Sequence, residues 1–232
     1  MINEEQHCRL EELSRVFLKE NGKLNLSAFR TKESCWMGNI MDSVAILDQR
    51  ICPLNIEGMQ VLDIGTGGGF PLLPIAMCFP EVKCTGLDST EKKIRAVENM
   101  AKELSLNNVN LIFDLNEDFC NVKEVGNDPR FREQYDVVTA RALAPLNVLL
   151  EFASPFVKPG GYIVAWKSMN TEEEMKESLL ARAELSCELA GNFEYDLGES
   201  WGKRQLIFFK KRSKLNSKYP RATGIPKKSP LL

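Results

Sequence analysis

Histidine is almost missing from this chain: His7 is the single one in 232 residues, and it lies far in sequence from any glycine-rich turn. A Ser-His-Asp hydrolase, a Cys-His nucleophile and a histidine metal site therefore each lack a second part. Cysteine pairs at metal or redox spacing are missing too. The seven cysteines, Cys8, Cys35, Cys52, Cys78, Cys84, Cys120 and Cys187, are odd in number and scattered, with no C-x-x-C. They read as reduced, mostly buried small hydrophobes, and no metal is expected. No apolar run approaches the length of a membrane span, and the opening MINEEQHCRLEEL is too acidic for a secretory or organellar leader. A cytoplasmic protein without a membrane partner is expected. Its chemistry must manage without imidazole, and alkyl transfer from a sulfonium meets that condition because the leaving group is already activated.

Acidic residues vanish from the C-terminal end. Ser200 to Leu232 holds ten basic residues and no acidic one, so Met1 to Glu199 carries 20 basic against 32 acidic; +10 and −12 sum to the net −2. That asymmetry suits a partner with a phosphate backbone, and equally a solvated tail. Lys218, Arg221, Lys227 and Lys228 are the candidate RNA contacts there.

What the chain does have is QVLDIGTGGGFP, Gln60 to Pro71. Val61, Leu62 and Ile64 form a short apolar run, then Gly65, Gly67, Gly68 and Gly69 arrive together before a helix start at Pro71. The order reads as a buried parallel strand, a tight turn and a helix, which lets backbone N–H groups approach a polar ligand. Phe70 stands where a dinucleotide fingerprint needs its third glycine, which argues against NAD. Asp63, two residues before the first glycine, suits the ammonium group of S-adenosylmethionine. Gly65, Thr66, Gly67, Gly69 and Phe70 complete the candidate turn.

Around that turn the chain alternates strand and helix. Met1–Asn21 reads as an amphipathic helix with Gly22 just beyond it, and Trp36–Leu47 as a second. Asp88 falls 23 positions after Gly65, at the end of a strand over 82–87. It can accept from both ribose hydroxyls of a nucleoside, or cap the next helix through the capping box DSTE, Asp88 to Glu91. Lys92, Lys93 and Arg95 sit unfavourably near that helix start, which suggests a surface or phosphate role. Asn116 and Glu117, after a strand over 109–113, meet an adenine edge or form an ordinary polar turn. Strands over 135–140 and 162–167 deliver Arg141 and Lys167 to their ends. KPGG, Lys158 to Gly161, reads as a turn, 171–190 as a helix, and 193–196 with 205–210 as an antiparallel hairpin. Five alternating units imply a doubly wound α/β sheet. The expected divisions are a helical extension over 1–58, a core over 59–212 and a basic tail over 213–232.

With these positions laid out, the sequence resembles the bacterial small-subunit ribosomal RNA guanine-N7 methyltransferases, the glucose-inhibited division protein B family. The similar stretches are NLSAFR (Asn25 to Arg30), MDS (Met41 to Ser43), VLDIGTGGGFP, LDSTEKKIR (Leu87 to Arg95), TARALAPL (Thr139 to Leu146), KPGG and KYPRATGIPKKSPL (Lys218 to Leu231). The resemblance implies a Rossmann-like class I S-adenosylmethionine-dependent methyltransferase, with a seven-stranded, mostly parallel sheet preceded by N-terminal helices. It implies methyl transfer to N7 of a guanine in the decoding-region loop, on small-subunit ribosomal RNA or the 30S particle, by a monomer. Carried over by motif, cofactor contacts fall on Gly65, Phe70, Asp88, Ser89, Thr90, Asn116, Glu117 and Arg141. The chain departs from the family at Gly38 and Asn39, where a basic residue and a histidine usually stand, and at Leu72 and Leu115.

Guanine N7 carries no proton, so transfer to it needs no general base; it needs the three reacting atoms held in line. Arg141 and Lys167 are the candidates for orienting cofactor and guanine, and Arg141→Ala is expected to cut transfer far more than stability. The target base must leave its stack, and Trp36 or Trp166 either receives it or packs in the core. Rival readings are a methyltransferase of this fold with another acceptor, and a non-catalytic ribosome-assembly factor.

Overall fold

The computed structural model describes residues 2–49, 52, 54–113 and 125–232. Seven strands form one sheet: β1 Gln60–Ile64, β2 Lys83–Asp88, β3 Val109–Phe113, β4 Tyr135–Arg141, β5 Val157–Ser168, β6 Cys187–Asp196 and β7 Lys203–Lys211. Their order is β3-β2-β1-β4-β5-β7-β6. The first five are parallel, and β7 runs antiparallel to both β5 and β6. The topology reverses between β1 and β4, the place where an open α/β sheet leaves a crevice at its carboxyl ends.

Side chains alternate across the sheet, and each face has its own cluster. Val61, Cys84, Val137, Val164 and Trp166 face one way, with Leu10, Leu13, Val16 and Phe17 of helix α1 (Glu4–Leu24), α4 (Leu72–Cys78) and Val97 and Met100 of α5 (Glu91–Glu103). Leu62, Ile64, Val138, Ile163 and Ala165 face the other, under α6 (Leu146–Ala153) and two short helices, α7 (Glu172–Glu177) and α8 (Leu179–Glu184). Burying four large side chains of α1 stabilises this arrangement by on the order of 6–12 kcal/mol before conformational entropy is subtracted.

The helix α1 starts in a capping box, where Asn3 Oδ1 accepts from Gln6 N–H and Gln6 Oε1 from Asn3 N–H. It passes through Gly22 and stops at Asn25, whose left-handed backbone (φ 51°) closes the last turn. Glycine was thus the wrong stop signal, because an asparagine three residues on can take the same conformation. The second helical segment begins earlier than expected: α2 (Lys32–Cys35) runs into a π-helical stretch (Trp36–Met41), α3 (Asp42–Val44) and a 3-10 turn (Ala45–Leu47).

Two further expectations are corrected. Lys158–Gly161 lies within β5 as a bulge and not as a turn that ends a strand, because Tyr135 pairs with Val157 and Val137 with Tyr162. The helix expected over 171–190 ends at Glu184, and Cys187 to Ala190 enters β6. Pairing of Cys187 and Leu189 with Lys211 and Phe209 outweighs the helix propensity of ELSCELA. The tail is not free of the core: Leu215 and Tyr219 are buried in the second cluster, and Tyr219 O accepts from Arg132 at 3.1 Å. The last helix, α9, is Ile225–Lys228. Among the described residues no helix is long and apolar enough to cross a membrane.

Candidate functional site

The strand β1 runs between β2 and β4, so its carboxyl end opens into the glycine turn with one neighbour on each side. Leu87 O accepts from Gly65 N–H at 2.8 Å and Thr66 N–H at 3.1 Å, and Gly69 N–H returns to Thr66 O at 2.7 Å. Gly65, Gly67 and Gly69 all have positive φ, at 72°, 56° and 89°. A side chain at Gly69 would be strained, and its Cβ would lie 2.7 Å from Leu73 Cδ1. Phe70 is buried and meets Phe17 of α1 edge-on, 4.8 Å between centroids. Phe70 therefore fastens the N-terminal extension to the turn.

Asp88 points at the glycine turn. Its Oδ2 accepts from Gly67 N–H at 2.9 Å and its Oδ1 from Thr90 N–H at 2.8 Å. Thr90 is the N-cap of α5 and makes no side-chain cap bond, so the capping-box alternative is not the arrangement formed. Each carboxylate oxygen keeps a lone pair for a hydroxyl. Ser89 is half-buried and Thr90 exposed beside it. Asn116 and Glu117 lie outside the described residues.

Asp63 is 1% exposed, and burial pushes its carboxyl up to about 7, with the Thr139 hydroxyl opposing that shift. Thr139 Oγ1 donates to Asp63 Oδ1 at 2.8 Å, while Asp63 Oδ2 has no partner. An acceptor left alone at such depth is costly.

Arg141 lies two residues beyond Thr139, the partner of Asp63, and so on the same face of the sheet as Asp63. Its Nη1 donates to Asp42 Oδ2 at 2.9 Å and Gly38 O at 3.1 Å, and its Nη2 to Asn39 Oδ1 at 2.9 Å. Gly38 and Asn39 of the π-helical stretch, a form often found at functional sites, and Asp42 at the start of α3 converge on one guanidinium. The guanidinium also lies 5.7 Å from the Phe70 ring centroid. Asp42 has further holds: Oδ1 accepts from Tyr195 Oη at 2.6 Å, and its carbonyl from Trp166 Nε1 at 2.8 Å. Burial and the Asp42 carboxylate push the Tyr195 hydroxyl far above its ordinary pKa, so it stays a donor. Asn39 is fully buried next to the arginine, with its side chain also against the Cys35 thiol.

Lys167 does not join Arg141. Alternation along β4 and β5 turns Arg141 and Trp166 to the face of the N-terminal extension and Lys167 to the opposite face. There Lys167 Nζ donates to Glu174 Oε2 at 2.5 Å and Ala144 O at 2.9 Å, and Glu174 Oε2 also accepts from Leu146 N–H at 3.0 Å. Lys167 thus fastens the turn after β4, and its expected part in orienting the guanine is corrected. Trp166 is buried and committed to Asp42, and Trp36 packs against His7 at 4.8 Å.

The cations named from sequence divide by partner. Arg95 pairs with Glu91 at 2.5 Å, while Lys92 is exposed and Lys93 half-buried at the start of α5. Arg221 grips Glu151, which is 1% exposed, at 2.6 and 2.8 Å. Lys218 pairs with Glu184 at 2.7 Å, and Lys227 and Lys228 are exposed on α9. Sequence reasoning missed Asp42 and Tyr195. The i, i+3 spacing of Asn39 and Asp42 was the available signal, since it puts two polar side chains on one helix face.

The chain is similar to known proteins along its whole length. A family model described as rRNA small subunit methyltransferase G matches residues 6–192. Ribosomal RNA small subunit methyltransferase G of Staphylococcus carnosus is 35% identical over 231 residues, covering 100% of this chain and 93% of that protein. Its counterpart in Streptococcus pneumoniae serotype 19F is 36% identical over 230 residues, 99% and 93% of the two chains. Among solved structures, Aeropyrum pernix fibrillarin with natively bound S-adenosylmethionine superposes with TM-score 0.54 at 17% identity, covering 72% of this chain and 73% of that one. Geranyl diphosphate methyltransferase, solved with sinefungin, gives 0.53 at 14% identity over 74% and 77%. The fold is that of class I methyltransferases, and such dissimilar neighbours show that the sheet alone does not choose the acceptor.

Proposed function

The chain belongs to the rRNA small subunit methyltransferase G family, and from that premise we propose that it moves a methyl group from S-adenosylmethionine to N7 of a guanine in the decoding-region loop of small-subunit ribosomal RNA. The observation that carries the cofactor reading is the pair of acidic residues on one sheet face. Asp63 presents a partnerless oxygen, and Asp88 is turned to Gly67. When bound, S-adenosylmethionine supplies an electrophilic methyl on a sulfonium, a leaving group that needs no protonation.

This chain's residues bind and orient. Asp63 Oδ2 takes the ammonium group. Asp88 takes ribose hydroxyls, with Ser89 and Thr90 beside it, and Gly65, Thr66, Gly67 and Gly69 keep side chains out of the approach. Asn116 and Glu117 remain the candidates for the adenine edge. Arg141, fixed by Asp42, Asn39 and Gly38, holds the methionyl carboxylate or the guanine O6 and so aligns the incoming base. No residue needs to take a proton, which agrees with a site built without histidine. The basic residues of the C-terminal segment and Lys92 and Lys93 contact RNA phosphates, and the protein acts as a cytoplasmic monomer on the 30S particle or its RNA.

Mass spectrometry of small-subunit RNA from a deletion strain tests this reading. Loss of one N7-methylguanine, restored by the purified protein with S-adenosylmethionine, is expected; an unchanged methylation pattern overturns it.

A further inference from the structure

An aromatic pair stands at the carboxyl edge of the sheet, and only one of its two rings, Trp201, packs against a buried cluster. Phe29 and Trp201 meet edge-on, 5.5 Å between centroids, and both are half-buried. Phe29 is part of neither buried cluster and does not pack against one. The two rings arrive from different directions. Trp201 lies in the turn between β6 and β7, and pairing of Ser168 with Arg204 places that turn at the carboxyl edge of the parallel strands. Phe29 comes from residues 25–30, the loop that follows α1.

That loop is fixed in advance. Asn21, 3% exposed, donates through Nδ2 to Ser27 O at 3.1 Å and Phe29 O at 3.0 Å, and accepts from Ser27 N–H at 2.8 Å. The loop crosses the mouth. Leu26 Cβ lies 3.4 Å from where a Cβ on Gly68 would sit, and the Phe29 ring 2.5 Å from where one on Gly38 would sit. Only glycine at 38 admits the ring, and Gly38 O is one of the groups that hold Arg141. Exposed cations flank the rings, Arg30 on the loop and Lys203 after the turn.

We propose that Phe29 and Trp201 are the stacking site that receives the extruded purine, setting it beside Arg141 at the mouth of the glycine turn. This rests on the RNA-methyltransferase reading above and names the part of the site that meets the base. Stacking on aromatic rings is how proteins hold an unpaired base, and flanking cations neutralise its phosphates. Trp166 is closed off in the core, and Trp36, tilted against His7, lines a different cavity together with Val44 and Leu197.

The test uses the full chain, with small-subunit RNA lacking the modification as acceptor and calorimetry with S-adenosylmethionine as a separate measure. Phe29→Leu and Trp201→Leu are each expected to raise KM for the RNA by about tenfold, the loss of one stacked base. Their S-adenosylmethionine Kd should stay within about twofold, and Trp201→Phe should restore most of the RNA affinity. An unchanged RNA KM and Kd in both leucine variants overturns the proposal. So does an equal weakening of cofactor and RNA, which marks the rings as supports of the cofactor turn. RNA Kd measured without transfer separates this from the reaction itself: binding lost in the variants while the wild type leaves N7 unmethylated keeps the stacking site and removes the N7 reading.

Discussion

Replacing Arg141 tests whether the site is built around a charge or around a strut. Asp42 and Arg141 expose 12% and 18% of their side chains, so this is a largely buried ion pair. Arg141→Ala leaves the carboxylate with Tyr195 as its remaining side-chain donor. Breaking such a pair from one side costs about 3–5 kcal/mol. For a chain of this length that lowers Tm by roughly 6–20 °C. The alanine variant should therefore lose stability as well as activity, contrary to what the sequence alone suggested. Arg141→Lys separates the two effects: an ammonium can still neutralise Asp42, but it cannot present a planar fork to three acceptors. We expect Arg141→Lys to melt within about 5 °C of the wild type, a loss of order 1.5 kcal/mol. Its turnover should still fall by about tenfold or more. Calorimetric melting and single-turnover methyl transfer measure the two quantities. An alanine variant that melts with the wild type would refute the ion-pair argument, and a lysine variant with full turnover would refute the orienting role.

Asp63 gives a pH signature. Its folded pKa is raised to about 7 from an ordinary 3.8, so between those values the folded state keeps a proton that the unfolded chain has released. Stability falls as pH rises through that window, by on the order of 4 kcal/mol in all; Asp63→Asn should flatten this part of the Tm profile, and an identical profile would count against it. An ammonium ligand favours the ionised carboxylate, so S-adenosylmethionine binding near pH 7 should release about half a proton, read by calorimetry in buffers of different ionisation heat. Gly69→Ala, at φ 89° and 2.7 Å from Leu73 Cδ1, should cost about 2–4 kcal/mol and weaken cofactor binding more than tenfold. A variant that binds normally would show that the turn can shift. Arg221→Ala strands Glu151, 1% exposed, and should lower stability by about 3–5 kcal/mol. Lys228→Glu, on exposed α9, should leave Tm unchanged and reduce the salt dependence of RNA binding by about one counterion; an unchanged slope would remove Lys228 from the interface.

The parallel half of the sheet was legible because its signals are local. A short strand with apolar Val61, Leu62 and Ile64, four clustered glycines and an acidic residue 23 positions after the first of them leave few other arrangements. Boundaries failed where a distant strand decided the outcome. ELSCELA has the composition of a helix, and only pairing with β7 makes its second half a strand. Gly22 looked like a stop, yet an internal glycine costs only about 1 kcal/mol in a helix packed along one whole side. The basic tail read as a charge feature because its anchors, Leu215 and Tyr219, are too few to show any periodicity.

The candidate site was legible residue by residue but not as a constellation, and alternation explains the difference. Arg141 and Lys167 both end strands at the same edge, and sequence position makes them look equivalent. One step of the period-two pattern sends Arg141 to the face of Asp63, Thr139 and Asp88 and sends Lys167 to the other, where Glu174 takes its charge. The face Arg141 reaches is covered by the N-terminal helices, so its partners come from residues about a hundred positions earlier. The extension is therefore part of the site and not an appendage to it. Phe17 packs on Phe70, Asn21 fixes the loop that carries Phe29, and the π-helical stretch with the first residue of α3 supplies the three acceptors for Arg141. A glycine turn on its own offers a cofactor a place to lie. The packed helices across it shape the mouth of that crevice, and in-line transfer to an unprotonated nitrogen, the acceptor proposed above, demands little more of a protein than placement.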